Sequence, residues 1–60
     1  MDVLGEKIRT MRRTMKWSQE DLAREIGVSL STVQRWETKE GKPIRLARRE
    51  LEKLFRKIGM

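Results

Sequence analysis

Residues 17–37 read WSQEDLAREIGVSLSTVQRWE, and this stretch contains the start signals of two short helices. Ser18 is a favourable N-cap because its hydroxyl can accept a hydrogen bond from an amide of the first turn. Asp21, three residues later, can reach back to the cap, and Ser29 begins the same pattern again. Between the two helices, Gly27 can adopt the left-handed conformation that ends a helix. A helix, a tight turn with glycine and a second helix form the helix-turn-helix pattern.

The composition indicates a small domain without catalytic or metal-binding chemistry. A single domain over residues 1–60 buries only about 60% of the surface that its unfolded chain exposes, so a deep catalytic cavity is not expected. The chain has neither cysteine nor histidine, which removes disulfides and the usual zinc ligands. We therefore expect no metal, no cofactor and no enzymatic activity, and we expect stability to come from packed helices.

The sequence also lacks the signals of a membrane or secreted protein. No apolar run approaches the roughly 20 residues of a membrane span, and no signal peptide is visible. We expect a soluble, cytoplasmic protein.

The charge of the chain favours a polyanionic partner. Lysine and arginine number 15 against 9 acidic residues, which gives a net charge of +6. Residues 1–17 carry a net +3 and residues 39–60 a net +5, whereas residues 18–38 carry −2. Excess positive charge therefore flanks the two central helices. The alternative for any single lysine or arginine is an ordinary solvated helix face.

Apolar periodicity predicts one helix before the central pair and one after it. Leu4, Ile8, Met11 and Met15 form one stripe at helical spacing, and Asp2 is a plausible cap for this first helix, which ends near Met15. We interpret the methionines as core residues.

The remaining helices follow from caps and turn residues. Helix 2 covers about Gln19 to Ile26, and helix 3 covers about Leu30 to Glu37. Pro43 suits the first position of a fourth helix, where its missing amide hydrogen costs nothing. This fourth helix ends near Gly59 and has a main apolar stripe with further apolar residues beside it: Ala47, Leu51, Leu54 and Ile58 in the stripe, and Leu46 and Phe55 beside it. The fold class is all-α, with four or five helices.

Three runs of residues and two single positions stand at fixed spacing: Ser18-Gln19-Glu20-x-Leu22-Ala23, Gly27-Val28-Ser29 and Val33-x-x-Trp36-Glu37, together with Arg12 and Pro43. In these positions the chain resembles the lambda-repressor and Cro-like (XRE) helix-turn-helix family. The resemblance implies a lambda-repressor-like fold, with helix 3 in the major groove of double-stranded DNA and a role as a transcription regulator or repressor. Where that family often has glycine after helix 1, this chain has Lys16, so the turn there is strained or differently shaped.

Helix 3 presents four candidate base-contacting residues. Once Val33 and Trp36 turn inward, four residues remain outside: Leu30, Ser31, Gln34 and Arg35. The resemblance implies base contacts for Leu30, Ser31 and Arg35. Arginine can bridge guanine O6 and N7, serine is permissive, and leucine can pack on a thymine methyl. The alternatives are a phosphate contact for Arg35 and no role for Leu30.

The resemblance also implies a set of phosphate contacts and an internal ion pair. Gln19 has the family's position for a phosphate contact at the start of helix 2. Arg12 and Glu37 have the positions of a partly buried ion pair that joins helix 1 to the end of helix 3. A solvated role is the alternative for each phosphate candidate. The complete set of phosphate candidates is Arg12, Ser18, Gln19, Thr38, Lys39, Lys42 and Arg45.

One such domain covers few base pairs, and the resembled family solves this with twofold dimers on near-palindromic operators. Leu46 and Phe55 lie off the main stripe of helix 4, so they are the candidate residues of a weak homodimer interface. The alternative is that they belong to a wide core-facing stripe.

Three classes of function compete. A sequence-specific DNA-binding regulator fits all of the features above. The antitoxin of a toxin–antitoxin pair is the alternative because such proteins reuse this fold. A basic peptide that binds membrane surfaces is disfavoured, since the apolar residues are distributed over capped helices as a core requires.

Overall fold

The computed structural model describes residues 4–38 and 40–59, and these residues form an all-α bundle. Asp2, expected to cap the first helix, and Lys39, a candidate phosphate contact, lie outside the described residues. No strand occurs within the described ranges. The helices are α1 (Leu4–Met15), α2 (Gln19–Ile26), α3 (Leu30–Glu37) and α4 (Arg45–Lys57).

The predicted signals set the limits of α2 and α3. Ser18 Oγ accepts from the Asp21 amide, and the Asp21 carboxylate accepts from the Ser18 amide at 2.9 Å, which completes a capping box. Ser29 Oγ accepts from the Thr32 amide and caps α3. Gly27 ends α2 in the left-handed conformation, with φ of 88°. The predicted bounds of both helices are confirmed.

The turn after α1 has the shape that glycine would give it, although a lysine forms it. Lys16 has φ of 60°, and among the described non-glycine residues it alone has a positive φ. The Lys16 amide donates to Arg13 O at 3.1 Å, and the Trp17 amide donates to Arg12 O at 2.8 Å, so both close the end of the helix. A non-glycine residue in this conformation costs about 1–2 kcal/mol. The strain expected at Lys16 is therefore present.

The core draws on all four helices. Trp17 and Val28, which precede the two serine caps, are partly buried against it, as expected for hydrophobic staples. The buried apolar residues are Ile8, Met11, Leu22, Ala23, Val33, Trp36, Ala47, Leu51 and Phe55.

The start of α4 corrects the prediction for Pro43. Ile44 is extended (φ −69°, ψ 167°) and acts as N-cap, so Arg45 is the first helical residue and Pro43 lies before the cap. Proline restricts its own φ and the backbone conformation of the residue before it. Neither restriction requires the residue after proline to be helical.

Phe55 corrects the prediction for the dimer interface. It is 4% exposed and belongs to the core, where Lys7 Nζ lies 4.8 Å from the centre of its ring. The buried stripe of α4 is Ala47, Leu51 and Phe55, spaced four residues apart, because this face packs against α1 and α2. Leu54 and Ile58 are only partly buried at its edge. Phe55 is therefore not available to a partner. The core-facing alternative holds for Phe55 but not for Leu46, which is 68% exposed.

Gly5 allows α1 to approach the end of α3 closely. A Cβ at this position would lie 2.9 Å from the Trp36 carbonyl oxygen and 3.5 Å from Glu37 Cα. Backbone atoms cannot swing aside as a side chain does, so only glycine fits here without a shift of the helices. The glycine brings α1 within reach of the residues that carry the candidate site.

We predict that Gly5→Ala destabilises the protein although alanine is the better helix former. The gain in helix propensity is at most about 1 kcal/mol, whereas overpacking against backbone costs about 1–3 kcal/mol. The measurement is the free energy of unfolding in urea. Thr14→Ala, at an exposed position of the same helix, is the control and should be neutral or stabilising. Equal or higher stability of Gly5→Ala would contradict the close approach.

Candidate nucleic-acid interface

The outer face of α3 is free because its inner face is anchored in the core. Val33 and Trp36 are buried, whereas Ser31 and Gln34 are exposed and Leu30 is 38% exposed. A helix held by two large apolar side chains presents the opposite face rigidly, as contacts with base edges require.

A shallow concavity continues this face towards the start of α2 and the loop after α3. Glu40 is the member of this surface that the sequence analysis missed. Its amide donates to Arg35 O at 3.0 Å, so the loop folds back onto the end of α3 and brings a carboxylate among the candidate DNA contacts. Sequence spacing offered no signal for this fold-back. The lining residues are Gln19, Ser31, Gln34, Arg35, Thr38 and Glu40.

The loop also positions Arg35. A Cβ at Gly41 would lie 3.7 Å from Arg35 Nη2 and 3.8 Å from its Nε, so the guanidinium lies beside the loop backbone. Arg35 lines this concavity and also an apolar groove on the other side of the loop. Its side chain therefore forms part of the wall of both the concavity and the groove.

A buried network holds α1, α2 and α3 together behind the exposed face. Arg12 Nε donates to Glu37 Oε2 at 2.7 Å, and Arg12 Nη2 donates to Glu37 Oε1 at 3.0 Å. Gln19 Nε2 donates to the same Oε1 at 3.1 Å, and Arg12 Nη1 donates to Trp17 O at 3.2 Å. Glu37 is 5% exposed, which makes it the one buried charged residue in the described ranges. The network ties the start of α2 and the end of α3 to α1.

This network determines the charge states of its members. Burial acts to raise the pKa of Glu37, but hydrogen bonds from Arg12 and Gln19, together with the positive charges of Arg12 and Arg9, outweigh it and hold that pKa below its ordinary value. The hydrogen bond with Glu37 raises the pKa of Arg12. Both groups are therefore ionised at neutral pH.

Two phosphate candidates make hydrogen bonds within the protein. The Arg12 side chain is 16% exposed, and its Nε, Nη1 and Nη2 atoms all donate internally. The Ser18 hydroxyl accepts from the Asp21 amide, and the Ser18 amide donates to the Asp21 carboxylate. The geometry of Arg12 therefore supports a structural role, whereas Ser18 is exposed and keeps its hydroxyl hydrogen as a donor for a phosphate.

The other described phosphate candidates remain at the surface. Thr38, Lys42 and Arg45 are exposed, and the Thr38 hydroxyl donates to Arg35 O at 3.3 Å. Gln19 is half-buried and keeps an edge on the concavity while it binds Glu37. Gln19 and Thr38 therefore lie beside the base-contact candidates in the concavity, whereas Lys42 lines the apolar groove.

Two capped helices joined by a glycine turn, with the exposed polar face of the second helix beside basic flanks, define a helix-turn-helix domain. A helix-turn-helix family model matches residues 8–43, more than half of the chain, and the protein belongs to this family, which is of the XRE type. It is a family of DNA-binding regulators and not of enzymes. Comparison with curated proteins and with solved structures gave no match. No helix in the described ranges is long and apolar enough to cross a membrane.

We predict that Glu37→Ala destabilises the protein far more than Glu40→Ala. Loss of Glu37 leaves the Arg12 guanidinium and the Gln19 amide without their acceptor, which costs about 3–5 kcal/mol. Glu40 is exposed, and its replacement should change the free energy of unfolding by no more than about 0.5 kcal/mol. Thermal and urea unfolding measure both variants. Equal melting temperatures would show that the ion pair contributes nothing.

We also predict that Glu37 makes the stability depend on pH in the acid range. A carboxylate with a lowered folded-state pKa contributes stability that is fully present above its ordinary value, near 4.5, and is lost as the pH falls through the folded pKa. Urea unfolding between pH 7 and 3 should show this loss, and Glu37→Gln should reduce it. Asp21→Asn is the comparison variant. The Ser18 amide also lowers the pKa of Asp21, so this substitution should remove a separate part of the acid sensitivity and leave that of Glu37. An unchanged slope in Glu37→Gln would exclude Glu37 as a source of the acid sensitivity.

Proposed function

We propose that the protein is a sequence-specific regulator of transcription that acts in the cytoplasm and inserts α3 into the major groove of double-stranded DNA. The observation that carries this proposal is the pairing of an anchored inner face of α3 with an exposed outer face. An exposed polar face is usual for any surface helix, and what distinguishes α3 is its place as the second helix of the matched helix-turn-helix, with a concavity beside its exposed face.

The base contacts fall on the outer face of α3. Arg35 donates to guanine O6 and N7, Gln34 matches the edge of adenine, and Ser31 accommodates several bases. Leu30, at the first turn, packs on a thymine methyl. Glu40 adds a carboxylate that accepts from cytosine N4 or repels a misplaced phosphate, which sharpens the choice of site.

Phosphate contacts surround this face and set its register on the DNA. Gln19 approaches the backbone from the start of α2, held in place by its hydrogen bond to Glu37. Thr38, Lys42 and Arg45 approach it from the loop after α3 and the start of α4. Such contacts supply affinity but carry no sequence information directly.

The protein acts as a weak homodimer on a near-palindromic operator. Two copies read two half-sites about 34 Å apart, one turn of the double helix. Leu46, which is 68% exposed, is the residue from the predicted interface that remains available.

A DNA-binding antitoxin is the second candidate function. It would use the same face of α3 and would add a toxin-binding surface. The exposed apolar side chains at the start of α4 are the feature that favours it, because they are free to contact another protein.

The proposal predicts different consequences for two substitutions that remove the same formal charge. Arg35→Ala should cost about 1–3 kcal/mol on the preferred site, selected from a random DNA library, and almost nothing on random DNA. Lys42→Ala should weaken both kinds of DNA equally and reduce the salt slope by about one unit. Titrations at several salt concentrations measure both. Equal losses of Arg35→Ala on both DNAs would make Arg35 a phosphate contact, and specificity would then rest on Leu30, Ser31 and Gln34.

A further inference from the structure

The cap of α4 differs from the caps of α2 and α3. Ser18 and Ser29 cap those two helices with side-chain hydrogen bonds, whereas Ile44 caps α4 with an aliphatic side chain that cannot form one. Ile44 is also 71% exposed, so this position lacks both a favourable cap and the burial of its apolar surface. Local costs of this kind are typical of surfaces that serve a function.

Ile44 forms part of the wall of an open apolar groove between α3 and the start of α4. The groove has a volume of about 330 Å³, and Val28, Trp36 and Ala47 supply the other apolar parts of its wall. This volume lies at the lower end of the range for ligand pockets, about 300–1,000 Å³. The groove is therefore suited to a few apolar groups of a partner.

The charge beside the groove indicates the chemistry of its occupant. Arg35 and Lys42 line the groove, and none of its lining residues is acidic. Lys42 and Arg45, which precede and follow the cap, are exposed, and residues 42–49 contain no acidic residue. Glu40 lines the concavity on the other side of the loop instead. A partner with negative charge is therefore attracted here, whereas a basic one is repelled.

Arg35 connects the groove to the candidate DNA surface. Its side chain lines the groove and also the concavity that contains Ser31 and Gln34. A carboxylate bound in the groove can accept two parallel hydrogen bonds from the guanidinium. The proposed contact with guanine O6 and N7 requires the same donors. One Arg35 side chain therefore cannot bind both ligands at once.

We propose that the groove binds an acidic peptide segment of another protein, and that this segment and the DNA site exclude each other. A large apolar side chain of the segment packs against Ile44 and Trp36, and its carboxylates pair with Lys42 and Arg35. The exclusion rests on the proposed function, because it requires that Arg35 reads a base, whereas the docking itself does not. By linkage, the segment weakens DNA binding by the same factor by which DNA weakens binding of the segment. The groove is thus a site through which another protein releases the regulator from DNA.

Selection of random displayed peptides on the immobilised protein tests the chemistry of the occupant. We expect the bound peptides to combine aspartate or glutamate with a large apolar side chain. In one such peptide, replacing the acidic residues by their amides, or the apolar residue by serine, should each lower the affinity about tenfold or more. Oligoglutamate is the control for charge alone and should bind no better than the serine version. Selection of basic or uncharged peptides, selection of none, or equal binding of oligoglutamate would overturn the proposal.

Ile44→Ser shows whether the selected peptide occupies the groove. Serine supplies the missing cap, so the melting temperature should equal or exceed that of the wild type. The affinity for the peptide should fall about 10- to 100-fold, because a buried aliphatic contact is lost. Lys42→Gln should reduce the salt dependence of peptide binding, whereas Lys57→Gln, an exposed residue at the far end of α4, is the matched control and should leave it nearly unchanged. Unchanged peptide affinity in Ile44→Ser would place the peptide elsewhere and contradict the proposal.

Competition between the peptide and DNA tests the exclusion. At saturating peptide, the affinity of the wild type for a duplex selected from random DNA should fall about 5- to 150-fold, the range of a coupling between sites. The same peptide concentration should have much less effect on Ile44→Ser, which should bind the duplex alone as the wild type does. Binding of both ligands without loss of affinity would overturn the exclusion.

Two further outcomes are distinguishable from these. If the free protein sediments as a dimer and Ile44→Ser as a monomer, a second copy is the occupant of the groove and the proposal is wrong. Failure of the proposed function is a separate result: the wild type would then bind selected DNA no better than random DNA, although the acidic peptide would still occupy the groove.

Discussion

The side chain of Glu37 is the constraint on which the rest of the fold depends. A carboxylate that is almost fully buried must receive enough hydrogen bonds to offset its lost hydration, and Arg12 and Gln19 provide them from α1 and α2. Since each donor comes from a different helix, the ion pair fixes the mutual orientation of three helices at one point. The close approach at Gly5 has the same origin, because α1 must come near the end of α3 before Arg12 can reach the carboxylate.

This arrangement puts the apolar core, the Glu37 network and the exposed face of α3 one behind another. Apolar residues such as Val33 hold the inner face of α3 in the core, and the Glu37 network fixes its C-terminal end. The outer face stays exposed and is the candidate surface for DNA. Gln19 takes part in both the network and the exposed surface, since it donates to Glu37 and also lines the candidate DNA surface. Rigid support behind an exposed face reduces the conformational entropy that the protein loses when that face binds a partner.

The parts of the molecule that could be predicted from sequence are those that local chemistry determines. The limits of α2 and α3 follow from Ser18, Gly27 and Ser29, whose effects act within one turn. The buried face of α4 could not be predicted in the same way, because its apolar residues allow more than one phase and only packing against other helices selects the one that buries Phe55. The contact between Arg35 and the loop escaped prediction for a similar reason, since loop geometry is determined by tertiary contacts.

The left-handed lysine after α1 combines a backbone cost with a surface charge. Glycine at position 16 would relieve the conformational cost of about 1–2 kcal/mol, but it would enlarge the disorder of the unfolded chain by about 0.4–1 kcal/mol. The two effects cancel only in part, so lysine leaves a net cost of about 1 kcal/mol here. The exposed lysine also adds one positive charge to the field that attracts DNA from a distance. Position 16 thus combines a small loss of folding stability with a gain in long-range attraction.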